Sequence, residues 1–497
     1  MHPCPKSIRS DGIPFLRPTR LRLIRGSDFP GSSHDLALFR EDALDVAGLD
    51  SEESGSAGYP VRIERDESLG KEAYRLSLRP DECVIASSDS DGCWWGMQTL
   101  LQILALDGRM LTPAVIEDRP RYSYRGLMID MGRAPWPWPF LKRIVRILSR
   151  LKMNTLHLHL YDDHLCSLRF QSLPLGLENP YSITPGRMGE LVNYARRRHV
   201  AIVPELEAWG HAGSIIRSLP HLRGAPGMWE GQSFGIGEEL YELIQRMLDE
   251  VVPQLEREAD VHMGLDEAGW ELLPSATGNA SAYSPATHVA RIHDLLQKCG
   301  ARHGRKLRMR CWADHKGIDI PPDLRRKIVI EPWNYFWSGE TDIRSKVERY
   351  SGSDKQLFIL GAGMSSQHLQ GTCDATRIWC REARNSPNAL GPNICHWEGN
   401  DLPGRFIGLF GGAGYAWNPN WGMPEEKDIH GENLRGLISR RMKRWQSVFS
   451  DADDAAMRLD RGWEVYRGVY TEGPLAGQPV TPFSALSRDR SENSLTF

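Results

Sequence analysis

Short apolar stretches alternate with amphipathic stretches along most of the chain after residue 124. The apolar stretches have the length of buried strands, and we predict eight of them: Gly126–Met131, Asn154–Leu160, Ala201–Glu205, Val261–Gly264, Leu307–Trp312, Ile328–Trp333, Leu357–Gly361 and Phe406–Gly411. Between them lie helical patterns at Phe140–Leu151, Arg187–Arg198, Gly237–Val252 and Ala286–Gly300. Strands that alternate with helices indicate a parallel sheet, so the pattern predicts an α/β fold with a (β/α)8 TIM barrel over residues 119–422.

The flanking regions have different patterns. Val61–Ile63 and Ala73–Leu78 alternate with period two, as half-buried strands do, and Trp94–Leu106 reads as an apolar helix. Residues 1–118 are therefore predicted to form a small α/β domain, which the polar, proline-stopped stretch Ile116–Pro120 joins to the barrel. Residues 423–497 are predicted to form a helical extension, with a helix from about Glu425 and a poorly ordered tail.

The composition narrows the class of protein. The chain has 497 residues, of which 25% are charged and 40% hydrophobic, as in globular proteins with two or three domains. A net charge of -3 argues against a nucleic-acid partner or a polybasic membrane patch. The sixteen tryptophans outnumber both tyrosine and phenylalanine. Indole rings suit the apolar faces of sugars, because they offer a large flat area at a low entropic cost.

Targeting and cysteine signals are weak. The nine cysteines are scattered and form no CxxC pair, which argues against a zinc knuckle or a redox dithiol. Residues 1–20 lack the apolar core of a secretory signal, and no stretch of eighteen apolar residues predicts a membrane span. We therefore expect a cytoplasmic location.

The predicted barrel gives weight to the polar residues that follow its strands, because catalytic groups of such barrels lie at the C-terminal ends of the strands. Seven of the eight strands end in polar or aromatic residues. The candidates, in strand order, are Asp130 and Arg133; His159, Asp162 and Asp163; Glu205, Glu207 and His211; Asp266 and Glu267; Trp312 and Asp314; Glu331 and Trp333; and Trp417. We expect them to converge on one rim. Asp130 and His157 are equally compatible with a purely structural role, and a tryptophan such as Trp333, taken alone, is more often a core residue.

The adjacent acids Asp266 and Glu267 are the most informative of these residues. They follow the predicted strand Ala259–Gly264, and alternation along a strand would make their side chains diverge. One carboxylate could then orient the substrate while the other exchanges a proton with a leaving atom. An isolated Asp-Glu dipeptide is more often a pair of solvated surface acids, so the interpretation depends on the surrounding motifs.

Four ordered motifs together resemble glycoside hydrolase family 20, the β-N-acetylhexosaminidases. They are Tyr124–Arg133 (YRGLMIDMGR), His157–Asp163 (HLHLYDD), Pro204–His211 (PELEAWGH) and His262–Glu267 (HMGLDE). Residues 74–106 also resemble the small N-terminal domain of that family, so the likeness covers about residues 60–420. Each motif alone is weak, but their order is specific.

The resemblance implies an exo-acting, retaining enzyme that removes terminal β-linked GlcNAc or GalNAc from a glycan or glycoconjugate. Glu267 would be the general acid and base, and Asp266 would hold the acetamido N–H while the acetamido oxygen forms an oxazolinium ion. His211 with Asp162 would orient Glu267. The implied substrate-binding residues are Arg133, His159, Trp312, Asp314, Trp333, Tyr335 and Trp417. No cofactor and no metal ion are implied.

The chain departs from the family pattern at three places. Leu265 stands where the family has glycine before the acid pair. The strand-seven tyrosine that binds the acetamido oxygen is missing from Gly361–Gln367, and Tyr335 is a candidate substitute. The family's Trp-x-Glu is read as Trp417–Pro419, without the glutamate, which makes a preference for GalNAc a hypothesis. Glu398 and Asp401 are candidate replacements for that glutamate.

Three other functions stay open. A carbohydrate-binding protein on a decayed hydrolase scaffold is favoured by the missing tyrosine, whereas the retained acids count against it. A barrel glycosidase could also use its two carboxylates on an unacetylated sugar. Finally, His157 and His159 lie two apart on one strand face, a spacing that a metal could use, but no third ligand has convincing spacing.

Overall fold

The computed structural model describes residues 2–420, apart from 11, 27, 54–55, 107, 135, 229–230, 314–319, 336–338, 353–355, 364–373 and 398–401. The predicted C-terminal extension lies outside these residues. Among the described helices, none combines the length and the apolar character that crossing a bilayer requires.

The first part of the chain forms a seven-stranded mixed sheet and two helices. Its elements are β1 (Ser7–Ser10), β2 (Phe15–Leu16), β3 (Arg20–Arg25), α1 (Ser33–Ala47), β4 (Asp50–Glu52), β5 (Tyr59–Arg65), β6 (Tyr74–Leu78), β7 (Cys83–Ser87), α2 (Ser90–Leu106), β8 (Met110–Leu111) and β9 (Ala114–Asp118). The strand order is β1-β9-β6-β7-β5-β3-β4, and β2 pairs separately with β8. The predicted strands and helix of this region are present. However, Ile116 to Asp118, which we predicted to be a linker, are the end of β9.

Helix α1 shows how local sequence fixes these elements. Ser32 caps it in a capping box with Asp35, and Gly48 ends it in the left-handed conformation at φ 62°. Leu36 and Phe39 on its buried face pack with Trp95 of α2 in one hydrophobic core. The two helices thus cover the sheet and give this region a core of its own.

The second part is a closed barrel of eight parallel strands, as the sequence predicts. In chain order the elements are β10 (Gly126–Asp130), α3 (Trp138–Arg150), β11 (Thr155–His159), α4 (Pro185–Arg196), β12 (Ala201–Glu205), α5 (Gly213–Ser218), the hairpin β13 (Arg223–Pro226) and β14 (Gln232–Phe234), α6 (Glu238–Val251), β15 (Glu258–His262), α7 (Pro285–Arg302), β16 (Lys306–Ala313), β17 (Ile328–Asn334), α8 (Glu340–Tyr350), β18 (Phe358–Gly363), α9 (Asp374–Glu382), β19 (Ala389–His396) and α10 (Leu402–Trp417). Pairing of β10 with β19 closes the barrel.

The eighth strand is not where the sequence predicts it. Phe406–Gly411 lies inside α10, and the strand is instead β19. An apolar run bounded by glycines fits a buried helix as well as a buried strand. In the sequence, Gly391 and Pro392 inside β19 indicate a turn. In the structure they belong to the strand, and Gly391 adopts φ 137°, which lets it pass close to the Tyr124 carbonyl.

Ion pairs, most of them buried, join the two parts with one consistent polarity. The sheet and its helices supply the acids, and the barrel supplies the bases. The pairs are Glu72 with Arg125, Asp118 with Lys152, Asp42 with Arg150 and Arg198, and Asp35 and Asp91 with His199. The contact between the two parts is therefore a set of matched charges as well as an apolar one.

Candidate active site

Four neighbouring strands bring five of the predicted site residues together at the C-terminal rim of the barrel. Arg133 follows β10, Asp162 follows β11, His211 follows β12, and Asp266 and Glu267 follow β15. A parallel barrel places all of these ends on one side, which is why residues far apart in sequence meet there.

His211 lies between two pairs of carboxylates. Its Nδ1 is 3.5 Å from Asp162 Oδ2 and 3.6 Å from Asp163 Oδ2. Its Nε2 is 3.6 Å from Asp266 Oδ2 and 3.4 Å from Glu267 Oε2. Burial disfavours the imidazolium, but the carboxylates, Asp162 foremost, outweigh it and raise the pKa of His211 well above its usual value. A cationic imidazole therefore connects the acid pair to Asp162.

The acid pair is held by a turn of unusual backbone conformation. Strand β15 ends at His262, and Gly264, Leu265 and Glu267 adopt φ angles of 61°, 81° and 49°. Our expectation that strand alternation separates the two carboxylates is therefore wrong. The turn instead directs both toward one imidazole nitrogen. Left-handed conformations are costly for side chains such as leucine, and such strain is characteristic of functional sites.

Glu207 supports this turn from below. Its Oε2 accepts a hydrogen bond from the Leu265 backbone N–H at 3.3 Å. A β-carbon at Gly264 would lie only 1.6 Å from the same oxygen, so a larger residue at this position would displace either the Glu207 carboxyl group or the turn. Burial, with Asp266 and Glu205 nearby, raises the pKa of Glu207 well above its usual value. A neutral carboxylic acid is thus expected beneath the acid pair.

Asp266 offers an unused acceptor. Its Oδ2 faces His211, whereas its Oδ1 is buried and has no hydrogen-bond partner within the described part of the chain. Burial raises the pKa of this carboxyl, the cation at His211 opposes the shift, and Glu267 adds to it. A buried carboxylate oxygen without a donor is costly, so the site is built to receive a donor from a bound molecule.

Arg133 forms one side of the site. Its guanidinium contacts Asp130 Oδ2 at 3.0 Å and Asp162 Oδ2 at 2.7 Å, and lies 5.1 Å from the centre of the Trp397 ring. Its side chain is 16% exposed, so it reaches the surface of the site. Burial opposes charge at Asp162, but Arg133 and His211 overcome it and hold the pKa of that carboxyl well below its usual range. Asp162 is therefore a carboxylate with two cationic partners.

His159 does not occupy the substrate-binding position that we predicted. Its ring is buried, with Nδ1 2.7 Å from Glu205 Oε2 and Nε2 2.9 Å from Asp162 Oδ2. Both nitrogens are thus engaged inside the protein, which leaves neither for a sugar hydroxyl. The prediction is wrong in that respect, and His159 supports Asp162 from behind.

Aromatic side chains form the opposite part of the site. Trp312 is almost fully buried and donates from Nε1 to Glu205 Oε1, so it lies at the base rather than on the wall. Trp333 and Tyr335 stack at 5.2 Å, and both pack with Trp312 and Trp397 around Met128 and Cys395. Burial, and after it Cys395, Glu331 and Asp266, raises the pKa of Tyr335 well above its usual value, so its hydroxyl stays protonated and can donate. Asp314 lies outside the described residues.

Trp417 is not part of the site, which corrects our prediction. It ends α10 and donates from Nε1 to Asp118 at 2.9 Å and 3.0 Å, within the core of the N-terminal sheet. The error follows from the misplaced eighth strand. Trp397, directly after β19, occupies the rim instead, 5.1 Å from the His159 ring and 5.7 Å from Trp312. The sequence signal that could have identified Trp397 is its position before Glu398. We missed it because the preceding strand contains glycine and proline and was not predicted to be a strand.

The two histidines considered for metal binding, His157 and His159, belong to different clusters of possible ligands. His157 lies with Glu205 and His262, and His159 with Glu205 and Glu207, and in each cluster the ligand atoms lie within 4.8 Å of one another. Glu205, however, is already surrounded, because nitrogen atoms of His157, His159, His262 and Trp312 lie 3.1, 2.7, 2.9 and 2.5 Å from its two oxygens. This saturation favours a hydrogen-bonded network beneath the site over a metal centre.

Comparison with known families assigns both parts of the chain consistently. The sequence-family model described as "Glycosyl hydrolase family 20, catalytic domain" matches residues 122–342. The family model described as "Glycosyl hydrolase family 20, domain 2" matches residues 1–119. The two matched regions are the barrel up to the start of α8 and the sheet that precedes it.

Individual proteins are similar over shorter stretches. The chain is 27% identical over 286 residues to Beta-hexosaminidase 3 of Arabidopsis thaliana, which is 53% of this chain and 52% of that protein. It is 33% identical over 189 residues to Beta-hexosaminidase of Vibrio furnissii, which is 33% of this chain and 31% of that protein. The chain thus spans about half, or less, of the length of these relatives.

Solved structures share the fold at low sequence identity. Flavobacterium johnsoniae chitobiase superposes with a TM-score of 0.72 at 18% identity, over 98% of this chain and 81% of that one. The β-N-acetylhexosaminidase of Bacteroides fragilis superposes with a TM-score of 0.71 at 19% identity, over 90% of this chain and 96% of that one.

Proposed function

The chain belongs to glycosyl hydrolase family 20, and on that premise we propose that it is an exo-acting, retaining β-N-acetylhexosaminidase. The proposed substrates are glycans or glycoconjugates that end in β-linked GlcNAc or GalNAc. The observation that carries the proposal is the free oxygen of Asp266, a buried acceptor beside Glu267 at the mouth of the barrel.

Asp266 fits the task of holding an acetamido group. Its Oδ1 would accept a hydrogen bond from the acetamido N–H, which would satisfy a buried oxygen that no described residue satisfies. Held in this way, the acetamido oxygen would attack the anomeric carbon and form an oxazolinium ion. Because the nucleophile is attached to the substrate, its effective concentration is high and no protein nucleophile is needed.

Glu267 fits the role of proton donor and acceptor. It would protonate the glycosidic oxygen as the bond breaks, and then remove a proton from the water that opens the oxazolinium ion. His211, 3.4 Å from Glu267 Oε2, would orient the carboxyl and offset its charge once the proton has left. Asp162, on the far side of His211, would keep that imidazole in place.

Two substrate contacts belong to the same proposal. Tyr335 would donate its hydroxyl to the acetamido oxygen, the role of the tyrosine that the strand-seven sequence lacks. Arg133 would bind sugar hydroxyls beside Trp397. The hypothesis of a GalNAc preference was drawn from Trp417, which lies outside the site, so no described residue supports it now. We propose that both sugars are accepted.

A panel of methylumbelliferyl glycosides tests the function. The full chain should hydrolyse the β-GlcNAc and β-GalNAc glycosides at least about a hundredfold faster than the β-glucoside and β-galactoside, because only the former carry the internal nucleophile. The matching thiazoline should inhibit competitively, and the first sugar released should have the β configuration by NMR. Equal hydrolysis of the unacetylated glycosides would point to a different glycosidase, and binding without turnover to a lectin-like protein.

A further inference from the structure

Two residues with exposed apolar side chains are close to Glu267, one through a backbone hydrogen bond and one along the chain. Among the described residues of the barrel, the large apolar side chains with the greatest exposure are Leu177, Met228 and Trp270, at 63%, 37% and 36%. Trp270 follows Glu267 by three residues, and the backbone N–H of Met228 donates to the Glu267 carbonyl at 2.8 Å. Neighbouring apolar groups left open to water commonly mark binding surfaces.

The indole of Trp270 is held in place by a second tryptophan. Its ring contacts Trp209 edge to face, with centroids 5.4 Å apart and an angle of 84° between the planes. Trp209 is nearly buried, donates from Nε1 to the Gly269 carbonyl at 3.0 Å, and precedes His211 by two residues. The same loop that supplies His211 therefore fixes Trp270, which reduces the entropic cost of using it as a contact surface.

The hairpin β13–β14 brings Met228 to the same place. A β-carbon at Gly269 would lie 2.3 Å from the Pro226 carbonyl oxygen, and one at Gly227 would lie 2.4 Å from the Glu267 carbonyl oxygen. Ser233 Oγ accepts from the Gly269 N–H at 2.9 Å. These close backbone contacts seat the hairpin tightly on the segment that carries Glu267.

We propose that Trp270 and Met228 form a platform for the leaving group, with Trp270 stacking on the apolar face of the pyranose ring attached to the glycosidic oxygen. The inference rests on the proposed function, because Glu267 must be the residue that protonates that oxygen. The departing ring then lies beyond Glu267, away from the aromatic side chains around Trp312 that enclose the cleaved sugar. An aromatic surface there suits a second sugar in the chain, since pyranose rings expose flat patches of C–H bonds.

The platform is tested by comparing leaving groups with and without a ring. Trp270→Ala, Trp270→Phe and Trp138→Ala are assayed on the β-linked disaccharide of the preferred N-acetylhexosamine and on its β-glycosyl fluoride. Trp138 is the control, because its ring lies against Lys142 of α3 and Arg187 of α4, on the outer helices of the barrel. Trp270→Ala should lower kcat/KM on the disaccharide about fivefold to tenfold, as loss of one aromatic contact predicts, while Trp270→Phe retains most of it.

The fluoride separates the possible outcomes. Since it has no ring beyond the scissile bond, Trp270→Ala should leave its hydrolysis within about twofold of the wild type, and thiazoline inhibition should not change. Equal losses on the disaccharide and the fluoride would overturn the platform while leaving the proposed hydrolase intact. A wild-type chain that cleaves neither substrate would overturn the proposed function itself. Circular dichroism of each variant verifies that it is folded.

Discussion

Gly264 rests directly on the carboxylate of Glu207, so close that a single added methyl group would lie 1.6 Å from Oε2. The turn that carries Asp266 and Glu267 thus depends on the absence of a side chain two residues before the first acid. Gly264 is itself in the left-handed region, at φ 61°.

Replacing Gly264 with alanine should therefore displace the acid pair. We expect kcat to fall by about tenfold to a hundredfold, because displacing reacting groups by about 1 Å has that effect. Gly304→Ala is the matched control, since Gly304 has φ 64° and nothing within 4 Å of a β-carbon. Both variants carry the backbone strain, of about 1–2 kcal/mol, but only Gly264→Ala should lose activity. Similar kinetics in the two would show that Glu207 does not position the turn.

The two acids should differ in their dependence on the leaving group. Glu267→Gln should lower kcat/KM by about two to four orders of magnitude on a disaccharide, and much less on a glycosyl fluoride, whose leaving group needs little protonation. Asp266→Asn should reduce the hydrolysis of both, because it acts on the acetamide-dependent step. Steady-state kinetics on the two substrates measure this. If Glu267→Gln lost activity equally on both, its role as the acid would be wrong.

Tyr335→Phe removes one hydroxyl and leaves the stack on Trp333 in place. If that hydroxyl binds the acetamido oxygen, kcat/KM should fall about tenfold and thiazoline affinity should weaken in parallel, since a hydrogen bond in the transition state is lost. Tyr350→Phe, at the end of α8, serves as the control. Unchanged thiazoline inhibition would remove Tyr335 from the site.

Trp417→Phe should affect stability without affecting catalysis. It removes the bifurcated hydrogen bond from the indole N–H to the two oxygens of Asp118, and we expect the free energy of unfolding to fall by about 1–3 kcal/mol. KM and kcat should match the wild type at a temperature where both are folded. Trp397→Phe, at the rim, should instead change KM. A kinetic defect in Trp417→Phe would show that Trp417 belongs to the active site, as the sequence suggested.

His199 should make stability depend on pH. Burial opposes its charge, but hydrogen bonds and attraction from Asp35 and Asp91 raise its pKa to about 9. The group binds its proton more tightly in the folded state, so its contribution is complete below pH 6.5 and is lost as the pH rises toward 9. Urea unfolding should show a decrease on the order of 2 kcal/mol over this interval. The decrease should be smaller by about that amount in His199→Gln, whereas it should be unchanged in His221→Gln, whose histidine is exposed.

The sequence was sufficient for the barrel because most of its strands have a continuous apolar core and polar ends. It failed at the eighth strand, where Gly391 and Pro392 interrupt the apolar pattern and a glycine-rich apolar helix follows. The eighth strand is whichever of these two stretches pairs with β10. That pairing is a tertiary contact, and local sequence propensity does not predict it. Trp417 was wrongly assigned to the site because the wrong stretch was taken as the eighth strand.

The motifs identified the acid pair and His211 because those residue types are close in sequence to strand ends. They could not show that Asp266 and Glu267 face one imidazole nitrogen, since this depends on a turn with three left-handed residues that directly follows the predicted strand or, at Gly264, ends it. Nor could they show that both nitrogens of His159 are engaged by acids from neighbouring strands. A role that depends on side-chain partners from neighbouring strands can be assigned only from the folded structure.

The polarity of the ion pairs between the two parts bears on how this chain can be divided. Arg125 and Lys152 are buried at the foot of the barrel, and their counter-charges, Glu72 and Asp118, come from the preceding sheet. A substituted barrel that lacks bases at these two positions would leave Glu72 and Asp118 buried without their cations, at a cost of several kcal/mol for each. Laboratory recombination or gene fusion that exchanges only the barrel would meet the same obstacle. The barrel and the preceding sheet must therefore be exchanged together if these ion pairs are to be kept.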